Sequence, residues 1–313
     1  MKKKEISIII PACNEESNLP VLVERIDETF KKNNIKGEVI IVDDGSTDNT
    51  WRTLEALKKR YSYLYPLKHP HKLGITAALN TATSASKNDI LIFLPADLQS
   101  DPREDVPKLL SKMNEGNYDI VVGRRDAWNR PLTKIIESKI YSLILRFLFR
   151  VPINDFNWVR VFKRETAKHL HLRKDWHRYF VVIASKMGFK VGEVGVNEYP
   201  RISGKSKFNF LRVITGFLDL LVIWFYLHFT KKPMLFFGTI GILSFAIGSV
   251  LGLLLIYLYL IGSQEVTTRP ILFLLTILIL GGIQSFIFGF LAELHATTQD
   301  EIHSLFEQLR KKG

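Results

Sequence analysis

The chain has 313 residues, 47% of them hydrophobic and 24% charged, with 43 Lys and Arg against 31 Asp and Glu for a formal charge of +12. That length and apolar content exclude a disordered chain and accommodate one sizeable α/β domain plus a further segment. The basic excess lacks the interleaved aromatics and motifs of nucleic-acid binding, which excludes nucleic acid as a partner, and it suits a protein lying against an anionic inner leaflet, with anionic substrates as a second contributor.

Along residues 5 to 123, short apolar runs alternate with helical patterns. "EISIIIPA" reads as a strand, "ESNLPVLVERIDETFKK" as an amphipathic helix, "EVIIVDD" as a strand and "TDNTWRTLEALKKR" as a helix. A weak strand near "YLYPLK", a helix over "ITAALNTATSAS", the strand "DILIFL", a helix over "EDVPKLLSKMNEG" and the strand "YDIVVG" follow. This alternation predicts a mostly parallel sheet covered on both faces, with right-handed crossovers that bring the strand C-terminal ends to one edge. Ligands of open α/β sheets bind in the crevice at that edge.

The polar residues cluster at those strand ends. "PACNEE" follows the first strand, "DDGSTDNT" ends the second, "PADLQ" the fourth and "GRRD" the fifth. Four loops therefore deliver Asn14, Glu15, Asp43, Asp44, Asp97, Gln99, Arg124 and Arg125 to one rim. A buried run such as Ile90 to Leu94 ending in a carboxylate and an amide is costly unless those groups face water, a metal or a ligand. Two readings stay open at "DGSTDNT", a ligand loop or a turn capped by Ser46 or Thr47, and two at Gly74, a helix start or a close approach of backbone to a ligand. Cys13, the only cysteine, excludes an internal disulfide, fits a reducing compartment and reads as a small packed residue.

Beyond residue 130 the pattern changes. "LTKIIESKIYSLILRFLFR" and "FNFLRVITGFLDLLVIWFYLHF" read as membrane-surface helices or as ordinary core helices, the first with Ile135, Ile136, Ile140, Leu143, Ile144 and Phe147 largely on one side. Met234 to Gly262 and Ile271 to Leu291 carry no charged residue, and each is long enough to cross a bilayer. The connector Ser263 to Pro270 holds a single Arg, whereas Lys231, Lys232 and the terminal "RKKG" lie on the other side, so the expected topology is a hairpin with both chain ends cytoplasmic. Lys2 to Lys4 lead straight into "ISIIIP", too short for the apolar core of a signal peptide. The expected organisation is a cytoplasmic catalytic domain over residues 1–205, an interfacial helix over 206–232, a two-span hairpin over 233–296 and a cytoplasmic tail over 297–313.

"SIIIPACNEESNL", "VIIVDDGSTDNT", "HKLGITAAL", "ILIFLPADLQ" and "IVVGRR", in that order, resemble the nucleotide-binding half of glycosyltransferase family 2, which has the GT-A fold. "EVGVNEYPRISGKSKF" and the hairpin ending "GGIQSFIFGFLAEL" resemble its polyprenyl-phosphate glycosyltransferases, the group that includes dolichyl-phosphate mannose synthase and the bactoprenol glucosyltransferases. The resemblance covers nearly the whole chain. It implies inverting transfer of one sugar from a UDP- or GDP-sugar to an undecaprenyl or dolichyl phosphate at the cytoplasmic membrane face, and it is compatible with a homo-oligomer.

By the same resemblance, Pro11, Asn14, Glu15 and Asp43 hold the base and ribose, with Asp44 beside them. Asp97 is the remaining acid of the family's D-x-D, and with Gln99 it would bind Mg²⁺ or Mn²⁺; Pro95 replaces the first acid, which implies a weakened site. Arg125, Lys134, Ser138, Arg201, Ser206 and Lys207, with Arg124 and Lys205 near them, match the residues that contact the acceptor phosphate, and Asp155 matches an Asp close to the sugar. Two spans are too few for the channel of a processive polysaccharide synthase, and no Q-x-x-R-W occurs. Pro95 leaves one rival of another class, a catalytically silent membrane protein that binds nucleotide or recruits partners.

Overall fold

A computed structural model describes residues 5–125, 132–151, 153–169, 176–200, 210–230, 232–261 and 269–312; within these, side chains at 132–138, 141, 168–169, 210–217, 269, 303–304 and 306–312 are outside the description. The chain divides into two compact units, Met1–Phe208 and Asn209–Gly313.

The first unit begins with β1 (Glu5–Ala12), α1 (Leu19–Lys32), β2 (Lys36–Asp44), α2 (Thr50–Arg60), β3 (Leu64–His69) and α3 (Ile75–Ala85). It continues through β4 (Ile90–Phe93), α4 (Pro102–Gly116), β5 (Ile120–Arg125), α5 (Leu132–Phe149), β6 (Arg160–Lys163), α6 (Arg164–His169), a 3₁₀ turn (Trp176–Tyr179), α7 (Phe180–Lys186) and β7 (Val191–Val196). The sheet runs in the order β3-β2-β1-β4-β6-β5-β7. The alternation legible along residues 5 to 123 thus becomes β1 to β5 with their helices.

Val39 to Val42 are at most 1% exposed. Such continuous burial is why β2 reads as an unbroken apolar run rather than an alternating one, each side chain contributing roughly 2 kcal/mol by leaving water. Ile8, Ile10, Ile41 and Ile92 join Leu22, Ile26, Leu109 and Leu110 of α1 and α4 in one cluster. α3 covers the other face of β1 and β2.

Neighbours on both sides of β1 run parallel to it, β2 from one side and β4 from the other. The strand order therefore reverses between β1 and β4, which opens a crevice beyond their C-terminal ends. β6 is the exception, pairing antiparallel with both β4 and β5. No apolar alternation announced it, because its first residue is Arg160. Running against its neighbours, β6 brings its N-terminal end, and with it the segment that starts at Asn154, to the edge where β4 and β5 finish.

In the second unit, α8 (Phe210–Phe229) precedes two long apolar helices, α9 (Pro233–Leu260) and α10 (Arg269–Lys312). Pro233–Leu260 and Pro270–Ile302 are each long and apolar enough to cross a membrane, with mean hydropathies of 2.3 and 2.5. α9 and α10 meet through glycines: a Cβ on Gly241 would sit 2.8 Å from the Gly282 carbonyl oxygen, and a Cβ on Gly282 equally close to that of Gly241. With no side chain at either position the backbones touch, the way helices associate when hydrophobicity cannot drive them together. The Met234 N–H at the start of α9 donates to Glu293 Oε2 at 3.0 Å, so an α10 carboxylate caps one of the unpaired donors of that helix end.

Candidate functional site

The crevice is built from the loops that leave β1, β2, β4 and β5. Asn14 sits at φ 60°, a left-handed conformation that Asn tolerates better than most residues. Its Oδ1 accepts from the Thr47 N–H at 2.8 Å, while its own N–H donates to Ser46 Oγ at 2.9 Å. The Glu15 N–H donates to Thr50 Oγ1 at 2.8 Å. The first two loops are therefore stitched together. Ser46 and Thr47 do not cap α2, as the turn reading has it: Asn14 engages both, and Asp48 Oδ1 instead takes the Thr50 N–H at 3.0 Å. Gly45 holds φ +67°, and a Cβ there would collide with the backbone of His71 and Lys72, so only glycine fits.

The paired acids Asp43 and Asp44 separate in function. Asp43 is fully buried; its Oδ1 takes the Ser46 N–H at 3.0 Å, and its Oδ2 has no partner. A buried carboxylate oxygen left unpaired is costly, and at the end of a central strand it is the atom most in need of a ligand donor. Asp44 turns to the β3–α3 loop, accepting from the Leu73 and Gly74 N–H groups at 2.9 and 2.8 Å and contacting His69 Nδ1 at 2.8 Å. Burial raises its pKa, but His69 and the two backbone donors outweigh that and hold the carboxyl below its ordinary value. Gly74, at φ +99° with open space where a Cβ would be, is the N-cap of α3, and its N–H is spent on Asp44. Pro11 and Cys13 are partly exposed on the same edge, and burial pushes the Cys13 thiol up, away from nucleophile behaviour.

After β4, Leu98 adopts φ 57° with its side chain only 2% exposed. A β-carbon in the left-handed region costs about 1 kcal/mol, sustained here by the anchoring of Leu98 in the core. Its neighbours Asp97 and Gln99 stay partly exposed, and Asp97 Oδ1 accepts from the Gln99 N–H at 3.3 Å.

Arg125, at the end of β5, is held by Asp155. Its Nε donates to Oδ2 at 2.6 Å and its Nη2 to Oδ1 at 3.1 Å, a two-pronged pair whose side chains are 17% and 7% exposed. Burial opposes the Arg125 charge, yet Asp155 and then Glu198 more than offset it, so the guanidinium pKa lies above its ordinary value. The guanidinium also stacks on Trp158 at 4.7 Å, and its Nη1 faces Glu198 Oε1 at 3.7 Å. Asp155 in turn receives support from Glu193, whose Oε1 takes the Asn154 and Asp155 N–H groups at 3.1 and 3.2 Å.

Asp97 with Gln99, and Arg125 with Asp155, are thus brought together pairwise. Arg124 is exposed. The side chains of Lys134 and Ser138, and residues Arg201, Lys205, Ser206 and Lys207, lie outside the described residues. Sequence reasoning missed Glu193, Glu198, Trp158 and His69. The available signal was weak: Glu198 is a charged residue just past a strand, at the edge where the other motifs collect.

On α5, Leu145 and Phe149 are buried while Ile140, Leu143, Ile144 and Phe147 are exposed, Phe147 to 83%. Of the apolar side expected from the sequence, Ile140, Leu143, Ile144 and Phe147 are thus exposed together, at the three- and four-residue spacing of one helix face, while the side chains of Ile135 and Ile136 lie outside the description.

Asp105, in the first turn of α4, supports the Asp97 loop: Ser100 Oγ donates to its Oδ2 at 2.6 Å, and its Oδ1 is buried without a partner. Burial pushes its pKa up to about 7. Between pH 4 and 7 the folded chain retains a proton that the unfolded chain releases, so stability falls as pH rises through that window and levels off above it. Asp105→Asn, whose amide oxygen can still accept from Ser100, is expected to raise the melting temperature at pH 8 by the equivalent of about 2 kcal/mol or more, with the gain vanishing near pH 4. Thermal unfolding at the two pH values checks this, and equal gains at both would refute it.

Among the described residues, no three His, Cys, Asp or Glu side chains gather into a group able to hold a metal. The oxygen donors Asp97 and Gln99 are nevertheless of the kind a hard divalent cation takes when it keeps several waters.

Residues 7–178 match the family model for glycosyl transferase family 2. The dodecaprenyl-phosphate galacturonate synthase of Rhizobium johnstonii is 27% identical over 303 residues, covering 94% of this chain and 88% of that protein. The undecaprenyl-phosphate 4-deoxy-4-formamido-L-arabinose transferase of Proteus mirabilis is 30% identical over 266 residues, covering 83% of this chain and 78% of that protein. Among solved structures, glucosyl-3-phosphoglycerate synthase from Mycobacterium tuberculosis, in complex with Mn²⁺, UDP and glucosyl-3-phosphoglycerate, shares the fold with a TM-score of 0.52 at 17% identity, over 71% of this chain and 79% of that one. The sheet that reverses order between β1 and β4, the acids at its C-terminal edge and the match over residues 7–178 lead to one conclusion: the chain belongs to glycosyl transferase family 2.

Proposed function

We propose that this enzyme transfers a single sugar from a UDP- or GDP-sugar to a polyprenyl phosphate at the cytoplasmic face of a membrane. The observation that carries the reading is the likeness, along 94% of the chain, to a relative named for a polyprenyl-phosphate product. The two apolar helices, with basic residues flanking the hairpin on one side, and the exposed stripe on α5 support a membrane-bound catalytic unit over about residues 1–205 with both ends cytoplasmic.

The unpartnered Oδ2 of Asp43 suits a base N–H or ribose hydroxyl of the donor, with Asn14, Glu15 and Pro11 shaping that pocket and Asp44 holding its floor through the β3–α3 loop. Asp97 and the Gln99 amide would hold Mg²⁺ or Mn²⁺ against the donor diphosphate. Bound there, the cation supplies neutralisation of the charge that develops on the leaving nucleotide. An acceptor phosphate is already an anion near neutral pH and needs no strong base; it needs cations that bring it into line with the anomeric carbon. Arg125, oriented by Asp155 and also facing Glu198, sets a fixed positive charge at this edge for the acceptor phosphate. Lys134, Ser138, Arg201, Ser206 and Lys207 complete the acceptor site, and direct attack inverts the anomeric configuration.

The test is formation of lipid-linked sugar by membranes containing the protein, with radiolabelled UDP- and GDP-sugars and a short polyprenyl phosphate. One donor is expected to give a product of inverted configuration. Nucleotide binding without product on any donor would refute the reading.

A further inference from the structure

We propose that Glu198 is a positioning residue that sets the orientation of the Gln99 amide at the candidate cation site. No residue type at the end of "VGVNEYP" announced such a role, and it rests on the metal reading above.

The segment after β7 is clamped onto the start of α4 and the loop before it. The Tyr199 N–H donates to the Gln99 carbonyl at 2.9 Å, Asn197 Nδ2 donates to Glu104 Oε2 at 2.9 Å, and Tyr199 Oη donates to Glu104 Oε1 at 3.0 Å. Glu198 lies inside this clamp with a side chain 15% exposed, so its carboxylate is placed by backbone rather than by chance on a mobile surface. The parallel pairing of β5 with β7 sets Arg125 opposite Val196, two residues before Glu198, which brings the guanidinium to the same carboxylate.

Glu198 Oε1 receives Gln99 Nε2 at 3.5 Å and faces Arg125 Nη1 at 3.7 Å. A primary amide has one donor end and one acceptor end on opposite sides of its carbon. With the nitrogen drawn to a carboxylate, which can only accept, the oxygen is turned the other way, presenting to a cation the only amide atom able to ligate it. Removing Glu198 removes the negative charge that draws the amide nitrogen to that side, and an amide turned with its nitrogen toward the cation cannot bind it. Residues that orient ligands in this way are worth about 10- to 100-fold in metal affinity. The need is greater here because Pro95 supplies no carboxylate.

The experiment is titration of Mn²⁺ into the purified full chain, saturated with UDP or GDP, read by calorimetry or by the Mn²⁺ paramagnetic resonance signal. Glu198→Ala is expected to weaken Mn²⁺ binding about tenfold. Glu198→Gln, whose amide oxygen can still accept from Gln99, is expected to recover most of that loss, and Glu198→Ala added to Gln99→Ala is expected to cost nothing further. Unchanged Mn²⁺ affinity in Glu198→Ala, a Gln variant as weak as the Ala variant, or additive losses in the double variant would each overturn the positioning role while leaving the cation site standing. Nucleotide binding by the unsubstituted chain that ignores Mn²⁺ would instead overturn the cation site itself, and this inference with it.

Discussion

Asp97→Ala is expected to lower sugar transfer by the purified protein a hundredfold or more, about 3 kcal/mol in the barrier, the scale of removing one fixed electrostatic group from a reaction that builds charge on a leaving diphosphate. Its carboxylate is partly exposed on the loop that follows β4 rather than packed in the core. The fold should therefore lose little, and the melting temperature is expected to move by only a few degrees. Rates equal to those of the unsubstituted chain, measured at saturating donor and Mn²⁺, would remove Asp97 from the mechanism. A large fall in melting temperature would show that the lost activity reflects unfolding.

The opposite balance is expected at Arg125 and Asp155. This pair is largely buried and joined by two hydrogen bonds, at 2.6 and 3.1 Å, so removing one partner leaves the other charge mostly shielded from water. Asp155→Ala is expected to cost about 3 kcal/mol of stability or more, a fall in melting temperature on the order of 10 °C for a unit of this size. Substituting both at once, Arg125→Met with Asp155→Leu, removes the stranded charge and is expected to restore most of the stability while transfer stays lost. Activity returning with stability in the double variant would make the pair a structural brace. Loss of activity in a chain that melts normally would tie it to the acceptor phosphate.

Arg160 shows how a buried charge differs from a paired one. It is 1% exposed, lies between Phe93 and Phe180 at 4.8 and 5.0 Å, and burial alone lowers its pKa to about 10. The two ring faces offer the attraction that a carboxylate gives Arg125. In the sequence the two arginines look alike; their surroundings leave one at the crevice edge paired with a carboxylate and the other inside the sheet between two rings.

Much of this protein was legible residue by residue. The apolar runs of β1, β2 and β4, the amphipathic patterns of α1 and α4 and the uncharged lengths of α9 and α10 are local signals, because burial and bilayer thickness act on contiguous residues. The rim residues were legible for the same reason, since a carboxylate just past a buried strand can stand only at its open end. Only the tertiary structure decided what each of them holds. The insertion of β6 between β4 and β5 brought Asp155 to Arg125, the β3–α3 loop claimed Asp44, and the register of β7 on β5 carried Glu198 to Gln99. Those partners lie 29 to 99 residues apart in the chain, and pairing over such separations is fixed by strand order and register, which no local pattern encodes.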